Sequence, residues 1–319
     1  MTTDAIDRPA PARRWPALLR AGLALLAITV AVYLLYRTLR GHSYEDLVGM
    51  LRSAAPARVA AALGFAASSY LCLTLFDLMA LRYAGKPLPY RKAALASFTS
   101  LSLGHNIGLA ALSSGAIRYH FYSRWGLGAA DVAKVILFCG ATVGIGLGTL
   151  AATALLWRPD LAAKLTGLPH GVVLALAIAL IAGLSTYLVL CAILRGRRWQ
   201  IRSWDIELPS LRLAAAQFVI GPLNFALVAA CLQQALSSVG SVSYPEVAAS
   251  YVLANIASLI AHAPGGLGVI EAVVATLLPG GSVIAGLIIF RAAYFLVPLI
   301  PGAALLAISL LSRREAATA

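Results

Sequence analysis

Apolar residues run almost unbroken through 16–36, 58–80, 132–156, 170–194, 211–236 and 283–311. Each run meets the roughly 20 residues an α-helix needs to cross a bilayer, so the pattern predicts six full spans. Two further segments, 93–125 and 246–280, are apolar but interrupted. The first contains Ser97-Phe98-Thr99-Ser100, Gly104-His105-Asn106 and Ser113-Ser114-Gly115; the second contains Asn255 and His262-Ala263-Pro264-Gly265-Gly266. Each is long enough for two half-helices with a break near the middle. Each therefore reads either as one more span or as a hairpin that enters the bilayer and returns.

Charge decides between these two readings. Lys and Arg concentrate in cytoplasmic loops, and if both segments crossed, the loop 195–212 with its five arginines would face outward. Two re-entrant hairpins repair this, leaving sixteen Lys and Arg inside, Arg118 among them in the loop 118–130, and six outside. The predicted fold is an all-α polytopic membrane protein with about six spans and two re-entrant hairpins. Residues 1–15 and 312–319 are cytoplasmic tails, and 16–311 form a single transmembrane domain. Each half then reads span, span, hairpin, span, with opposite orientation. Inverted repeats of this kind place a site at the bilayer midplane.

Composition agrees with a membrane chain. The 319 residues are 61% hydrophobic and 12% charged, with a mean hydropathy of +0.86, against about 25% charged in soluble domains. No stretch is long and polar enough for a separate soluble domain. The net charge of +13 lacks the aromatic-interleaved basic module that nucleic acid would require, and it suits orientation and contact with anionic lipid. The first run follows Arg13 and Arg14 as a signal sequence would, but it is too long and lacks a small-residue cleavage site. It reads as a retained span. Cys72, Cys139, Cys191 and Cys231 lie far apart in apolar runs and read as small core residues, and no cofactor or metal is expected.

The candidate chemistry lies at the breaks. Pro264-Gly265-Gly266-Leu267-Gly268-Val269-Ile270-Glu271 breaks helix and ends in a carboxylate. Broken backbone at membrane depth survives only when buried in protein or lining a wet cavity, and an ionisable residue there marks a polar path. Gly265 and Gly266 allow a tight turn with exposed amides, and a half-helix starting after them would aim its positive end at an anion. Glu271 then either belongs to a site, complements the dipole, or pairs with Arg291. In the first hairpin, His105 and Asn106 sit at the expected turn, and Ser113-Ser114-Gly115 leave room for a ligand or a second helix. Arg118 presents a fork suited to phosphate, or it snorkels to the interface. Asp77 either meets a cationic headgroup or pairs with an arginine. Gln217 and Asn224, flanking Gly221-Pro222, either line the cavity or bond helix to helix. The Gly144–Gly148 run lacks a βαβ context and reads as a close helix crossing. His42 and His170 read as loop residues. Glu271 with His262 is a weak basis for a membrane hydrolase, and no catalytic set emerges.

Three stretches also carry a resemblance. They are Ser102-Leu103-Gly104-His105-Asn106-Ile107-Gly108, Ala111-Leu112-Ser113-Ser114-Gly115-Ala116-Ile117-Arg118-Tyr119 and Tyr122-Ser123-Arg124-Trp125-Gly126-Leu127. With Ala263–Glu271, they resemble the membrane region of the bacterial lysylphosphatidylglycerol synthase/flippase family, over about residues 16–311. The resemblance implies a flippase part in the bacterial cytoplasmic membrane, with Arg118 and Glu271 as the positions transferred from the motifs. The family's cytosolic transferase domain has no counterpart in these 319 residues, so the expectation is no enzyme and no synthase activity.

The expected function is translocation of a phospholipid, with aminoacylated phosphatidylglycerol as one candidate. Arg118 and Arg291 would hold the phosphate, while Glu271 and Asp77 would meet an amine or balance charge. No ATP site is visible, so movement would be passive or gradient-driven. Two alternatives stand beside this reading: a non-transporting lipid-binding partner of a separate synthase or glycosyltransferase, and a secondary carrier of a soluble solute. Membrane phospholipids are the expected partners, nucleic acid is not, and a homo-oligomer is left open.

Overall fold

The computed structural model describes residues 54–107, 110–194, 198–201, 204–261, 264–278 and 283–315, with positions 45 and 49. The expected span at 16–36, and with it His42 and His262, lies outside the described residues. The helices are α1 (Pro56–Tyr83), α2 (Tyr90–Ile107), α3 (Ala110–Ser123), α4 (Ala129–Trp157), α5 (Pro159–Thr166) and α6 (His170–Ile193). They continue as α7 (Leu211–Ser237), α8 (Tyr244–Ile260), α9 (Val269–Leu277), α10 (Val283–Arg291) and α11 (Val297–Glu315). A 3-10 turn, Pro264–Gly266, precedes α9, and a π-helical turn, Ala292–Leu296, joins α10 to α11.

Local chemistry sets the ends. Pro56 opens α1 at a position where its missing N–H costs nothing. Asp131 accepts from the Gly128 amide at 3.0 Å to start α4, and Ser210 caps α7 through the Leu213 amide. Pro222 lies inside α7 without ending it. Five described helices are long and apolar enough to cross a membrane: Pro56–Tyr83, Ala129–Trp157, His170–Ile193, Leu211–Ser237 and Val283–Leu311. They match five of the six expected runs. α11 continues to Glu315, four residues past the expected domain edge.

The core is a stack of crossings made close by small residues. α1 packs along α7, with the Ser69 hydroxyl donating to Asn224 Oδ1 at 2.7 Å and Cys72 Sγ to the Ile220 carbonyl at 3.4 Å. α4 meets α7 where Gly146 and Gly221 put backbone on backbone, and any Cβ at Gly146 would strike Gly221. The glycine run expected to permit a close crossing does so. Gln217 bonds Thr142 at 2.8 Å and accepts from Tyr187 at 2.7 Å, so it ties α7 to α4 and α6. Gln217 and Asn224 therefore bond helix to helix. α6 fully buries only Val173, Ala177 and Cys191 and leaves much of its apolar surface outward. The four cysteines are buried and free.

The basic segment after α6 holds a short antiparallel β-hairpin, β1 (Arg198–Ile201) and β2 (Trp204–Glu207), with Trp199 opposite Ile206 and Ile201 opposite Trp204. It adds two strands to an otherwise helical fold. The Tyr83 hydroxyl donates to the Glu207 carbonyl at 2.6 Å, which ties the hairpin to the end of α1.

The two interrupted segments are helical hairpins. α2 and α3 pack together so closely that a Cβ on Gly104 would lie 2.9 Å from that of Ser114. α8 and α9 pack against each other on either side of the 3-10 turn. The base of the first hairpin adjoins the start of α4, since five residues separate Ser123 from Ala129. The base of the second adjoins the far end of α4, where Arg158 Nη1 reaches Glu246 Oε1 at 3.2 Å. α4, at 29 residues, is about 43 Å long. Yet the tips touch: a Cβ on Gly265 would lie 2.7 Å from the His105 carbonyl oxygen. Gly265 has φ of +59°, so glycine supplies both the left-handed backbone and the space.

Candidate functional site

The second break is built around Arg291, at the last turn of α10. Its Nε donates to Glu271 Oε1 at 2.6 Å and Nη2 to Glu271 Oε2 at 3.1 Å. Nη1 donates to the Gly265 carbonyl at 2.6 Å and Nη2 to that of Gly266 at 3.0 Å. Four of the five guanidinium N–H groups are thereby engaged. The carbonyls they serve belong to the 3-10 turn, which no helix ladder satisfies. Glu271 Oε2 also accepts from the Gly268 amide at 2.8 Å. The anion at the start of α9 is thus the chain's own carboxylate, so the dipole role and the Arg291 pair, both open from sequence, are realised together. The guanidinium carbon sits 4.5 Å from the Phe295 ring centroid. Arg291 is buried, but a third of the Glu271 side chain, 32%, remains exposed.

The first hairpin closes over this turn. His105, Asn106, Gly265, Leu267, Arg291, Phe295 and Leu296 line a cavity of about 10 Å³, room for about one water molecule. Asn106 Nδ2 donates to the Ser102 carbonyl at 2.8 Å and the Phe295 carbonyl at 3.2 Å. The Tyr70 hydroxyl donates to the Tyr294 carbonyl at 3.3 Å. A π-helical turn leaves its carbonyls poorly matched to the helix ladder, and such turns recur at functional sites. Here Tyr70 and Asn106 take two of them. The His105 ring stacks on Tyr294 at 6.1 Å and 20° and tilts against Tyr70 at 6.1 Å.

Arg118 and Asp77 form a separate cluster. Arg118 Nε donates to Asp77 Oδ2 at 2.9 Å and Nη2 to Oδ1 at 2.8 Å, while Nη1 donates to the Ser114 hydroxyl at 3.0 Å. The Tyr122 hydroxyl donates to Asp77 Oδ2 at 2.6 Å, and Cys139 Sγ approaches Oδ1 at 3.5 Å. The side chains are 4% and 0% exposed. The cluster joins α3 to α1 and α4, and neither charge lines the tip cavity. Counting Arg118 in an interfacial loop is therefore corrected: α3 carries it into the protein, where only a paired charge is tolerated.

Of the eight residues singled out from sequence, the structure brings six together: His105, Asn106, Gly265, Gly266, Glu271 and Arg291. Asp77 and Arg118 come together elsewhere. The room left by Ser113-Ser114-Gly115 is taken by helices, with Gly104 against Ser114 and Ile136 against Gly115. Sequence reasoning missed Tyr122, Tyr70, Tyr294 and Phe295. Tyr122 had a signal, since it lies one turn after Arg118 on the same face. The other three join the site from α1 and from the π-helical turn, and had none.

A groove of about 240 Å³ opens between α4, α6 and α7, lined by Thr149, Thr153, Leu156, Leu184, Ser185 and Phe218 among others.

The fold and site define a helical membrane protein in which two hairpins meet end to end over an arginine–glutamate pair. Residues 24–302 match the family described as the lysylphosphatidylglycerol synthase TM region, and the chain belongs to that family. It is 29% identical over 299 residues to Inner membrane protein YbhN of Escherichia coli (strain K12), covering 90% of this chain and 91% of that protein. It is 28% identical over 288 residues to slr0712 of Synechocystis sp., covering 89% and 88%.

Proposed function

We propose that this chain moves a phospholipid between the leaflets of a bacterial inner membrane. The observation that carries this reading is the meeting of two helical hairpins, based at opposite ends of α4, around Arg291 and Glu271. Non-helical backbone and an ionisable pair at membrane depth are costly, and they persist where something polar passes. In this reading the hairpins enter from opposite faces. The order α1, α2–α3, α4 and the order α7, α8–α9, α10–α11 form inverted halves around a midplane site. The name of the Escherichia coli relative, Inner membrane protein YbhN, supports the inner membrane. The arginine-rich segment 195–212 supports cytoplasmic termini.

A cavity of about 10 Å³ excludes any headgroup, so the tips must part for transport. Parting withdraws the Gly265 and Gly266 carbonyls from Arg291 and frees Nη1 and Nη2 for two phosphate oxygens. Glu271 then meets an amine or balances the guanidinium. Asp77 and Arg118 hold the first hairpin in register and do not touch the lipid. The family's description supports aminoacylated phosphatidylglycerol as a candidate cargo, and the apolar groove beside α6 suits an acyl chain.

The test is reconstitution into vesicles with fluorescent phosphatidylglycerol and an external quencher. Wild type should expose inner-leaflet label, and Arg291→Ala or Glu271→Gln should slow it. A wild-type rate equal to that of protein-free vesicles rejects transport, and equal rates in wild type and both variants reject the site. One observation favours a second reading, a non-transporting lipid-binding partner of a separate lipid-modifying enzyme: the basic segment is built as a β-hairpin bonded to α1. Under that reading Arg198→Glu abolishes function while Arg291 and Glu271 tolerate change.

A further inference from the structure

One buried polar atom at the meeting of the hairpins has no protein partner among the described residues: Nδ1 of His105. Buried nitrogens are almost always bonded, so an exception at a functional contact calls for a reason. His105 sits where the hairpins touch. Its carbonyl faces Gly265 across a close backbone approach between the tips, and it shares the tip cavity with Arg291.

Among the described residues, these are the titratable and charged groups around it. α1 supplies Tyr70, with Asp77 further along the same helix. α3 supplies Arg118, whose charge is bound to Asp77, and the π-helical turn supplies Tyr294. α10 supplies Arg291, whose charge is bound to Glu271 on α9. The two fixed cations are each matched by one carboxylate. A neutral imidazole fits this balance. An imidazolium does not, because it adds a positive charge beside Arg291 and needs an acceptor for Nδ1–H that the described residues of the closed contact do not supply.

We propose that His105 is a proton-binding site whose protonation parts the hairpin tips, making the proton the coupling ion of the transport proposed above. The inference rests on that reading for its role in transport, but its structural step stands alone. Protonation favours the open state because opening admits water to Nδ1 and separates His105 from Arg291. By linkage, opening favours proton uptake to the same degree. Histidine is the side chain whose ordinary pKa, about 6.5, allows this near neutral pH.

Two measurements test it. In the vesicle assay, the wild-type rate should rise about tenfold from pH 7.5 to pH 5.5, the rise in protonated fraction for a group of that pKa, and His105→Gln should flatten the profile. Cysteines introduced as Asn106→Cys on the first hairpin and Leu267→Cys on the second, which line the same tip cavity, report tip separation directly once the four native cysteines are replaced by alanine or serine. Their cross-linking should fall at low pH in the His105 background and not in His105→Gln, which also controls for thiol chemistry. Cross-linking and transport that respond equally to pH in both backgrounds overturn the proposal. If no lipid moves at any pH yet cross-linking still depends on His105, the proton switch stands and the transport reading falls.

Discussion

Each hairpin has a returning arm with one charge that an adjoining long helix neutralises, and the two pairs are built to opposite ends. Arg118 on α3 binds Asp77 on α1 with every polar atom of the carboxylate engaged and both side chains 4% exposed or less. Glu271 on α9 binds Arg291 on α10 beside a cavity, with the carboxylate side chain 32% exposed and the guanidinium partly spent on turn carbonyls. A sealed pair is weak as a net stabiliser but costly to break, because removing one partner strands the other. It suits a fastener. A pair whose partners include displaceable backbone carbonyls can exchange them for a ligand, and that is the property a site needs.

The largest effect should come from breaking the sealed pair. Asp77→Ala leaves a buried guanidinium and is expected to cost about 3–5 kcal/mol, read as a lower unfolding temperature in detergent. Asp77→Leu combined with Arg118→Met should recover most of that loss, because the pair's net worth is small once both charges are gone. If the double variant is as unstable as the single, the fastener reading fails.

Gly265→Ala should come next. It forces a side chain into φ of +59° and toward the His105 carbonyl. The left-handed backbone costs about 1–2 kcal/mol. The tip contact should open and vesicle transport should change far more than stability, whereas an equal fall in both would erase the distinction between the pairs. Glu271→Gln keeps the amide cap and loses charge, for about 1–2 kcal/mol after discounting for exposure. Lipid exposure in vesicles should again respond more than the unfolding temperature.

The smallest effect belongs to a third, exposed cluster that serves as control. The Glu246 carboxyl is held below its usual range by the Ser243 hydroxyl and then by Arg158, and the Asp160 carboxyl is lowered chiefly by Arg158. Because folding lowers these values, the stability they contribute is present above the ordinary carboxylate pKa of about 4. It disappears as pH falls through the lowered values. Glu246→Gln should shrink that acid dependence slightly, as seen in unfolding temperature against pH. It should leave transport unchanged.

Much of this was legible along the chain. Runs of apolar residues marked the long helices because lipid imposes length and composition locally. Pro264, Gly265, Gly266, His105 and Asn106 marked the breaks because such residues interrupt an apolar pattern only at a cost. The β-hairpin had an unused signal: Trp199 and Ile201, then Trp204 and Ile206, alternate on either side of Arg202-Ser203. The π-helical turn at Ala292–Leu296 had none, since its residues are ordinary helix formers and the bulge is held by Tyr70 and Asn106 from other helices.

What the amino-acid order determined by itself was a bilayer-spanning protein with two broken segments and a handful of ionisable residues too costly to be idle. Which charge meets which was decided only in three dimensions. Asp77 and Arg118 are 41 residues apart on different helices, and Coulomb energy depends on separation through space, which periodicity along a chain does not encode. The same holds for the touching tips: Gly265 permits a turn wherever it stands, but only packing against α2 brings His105 onto it.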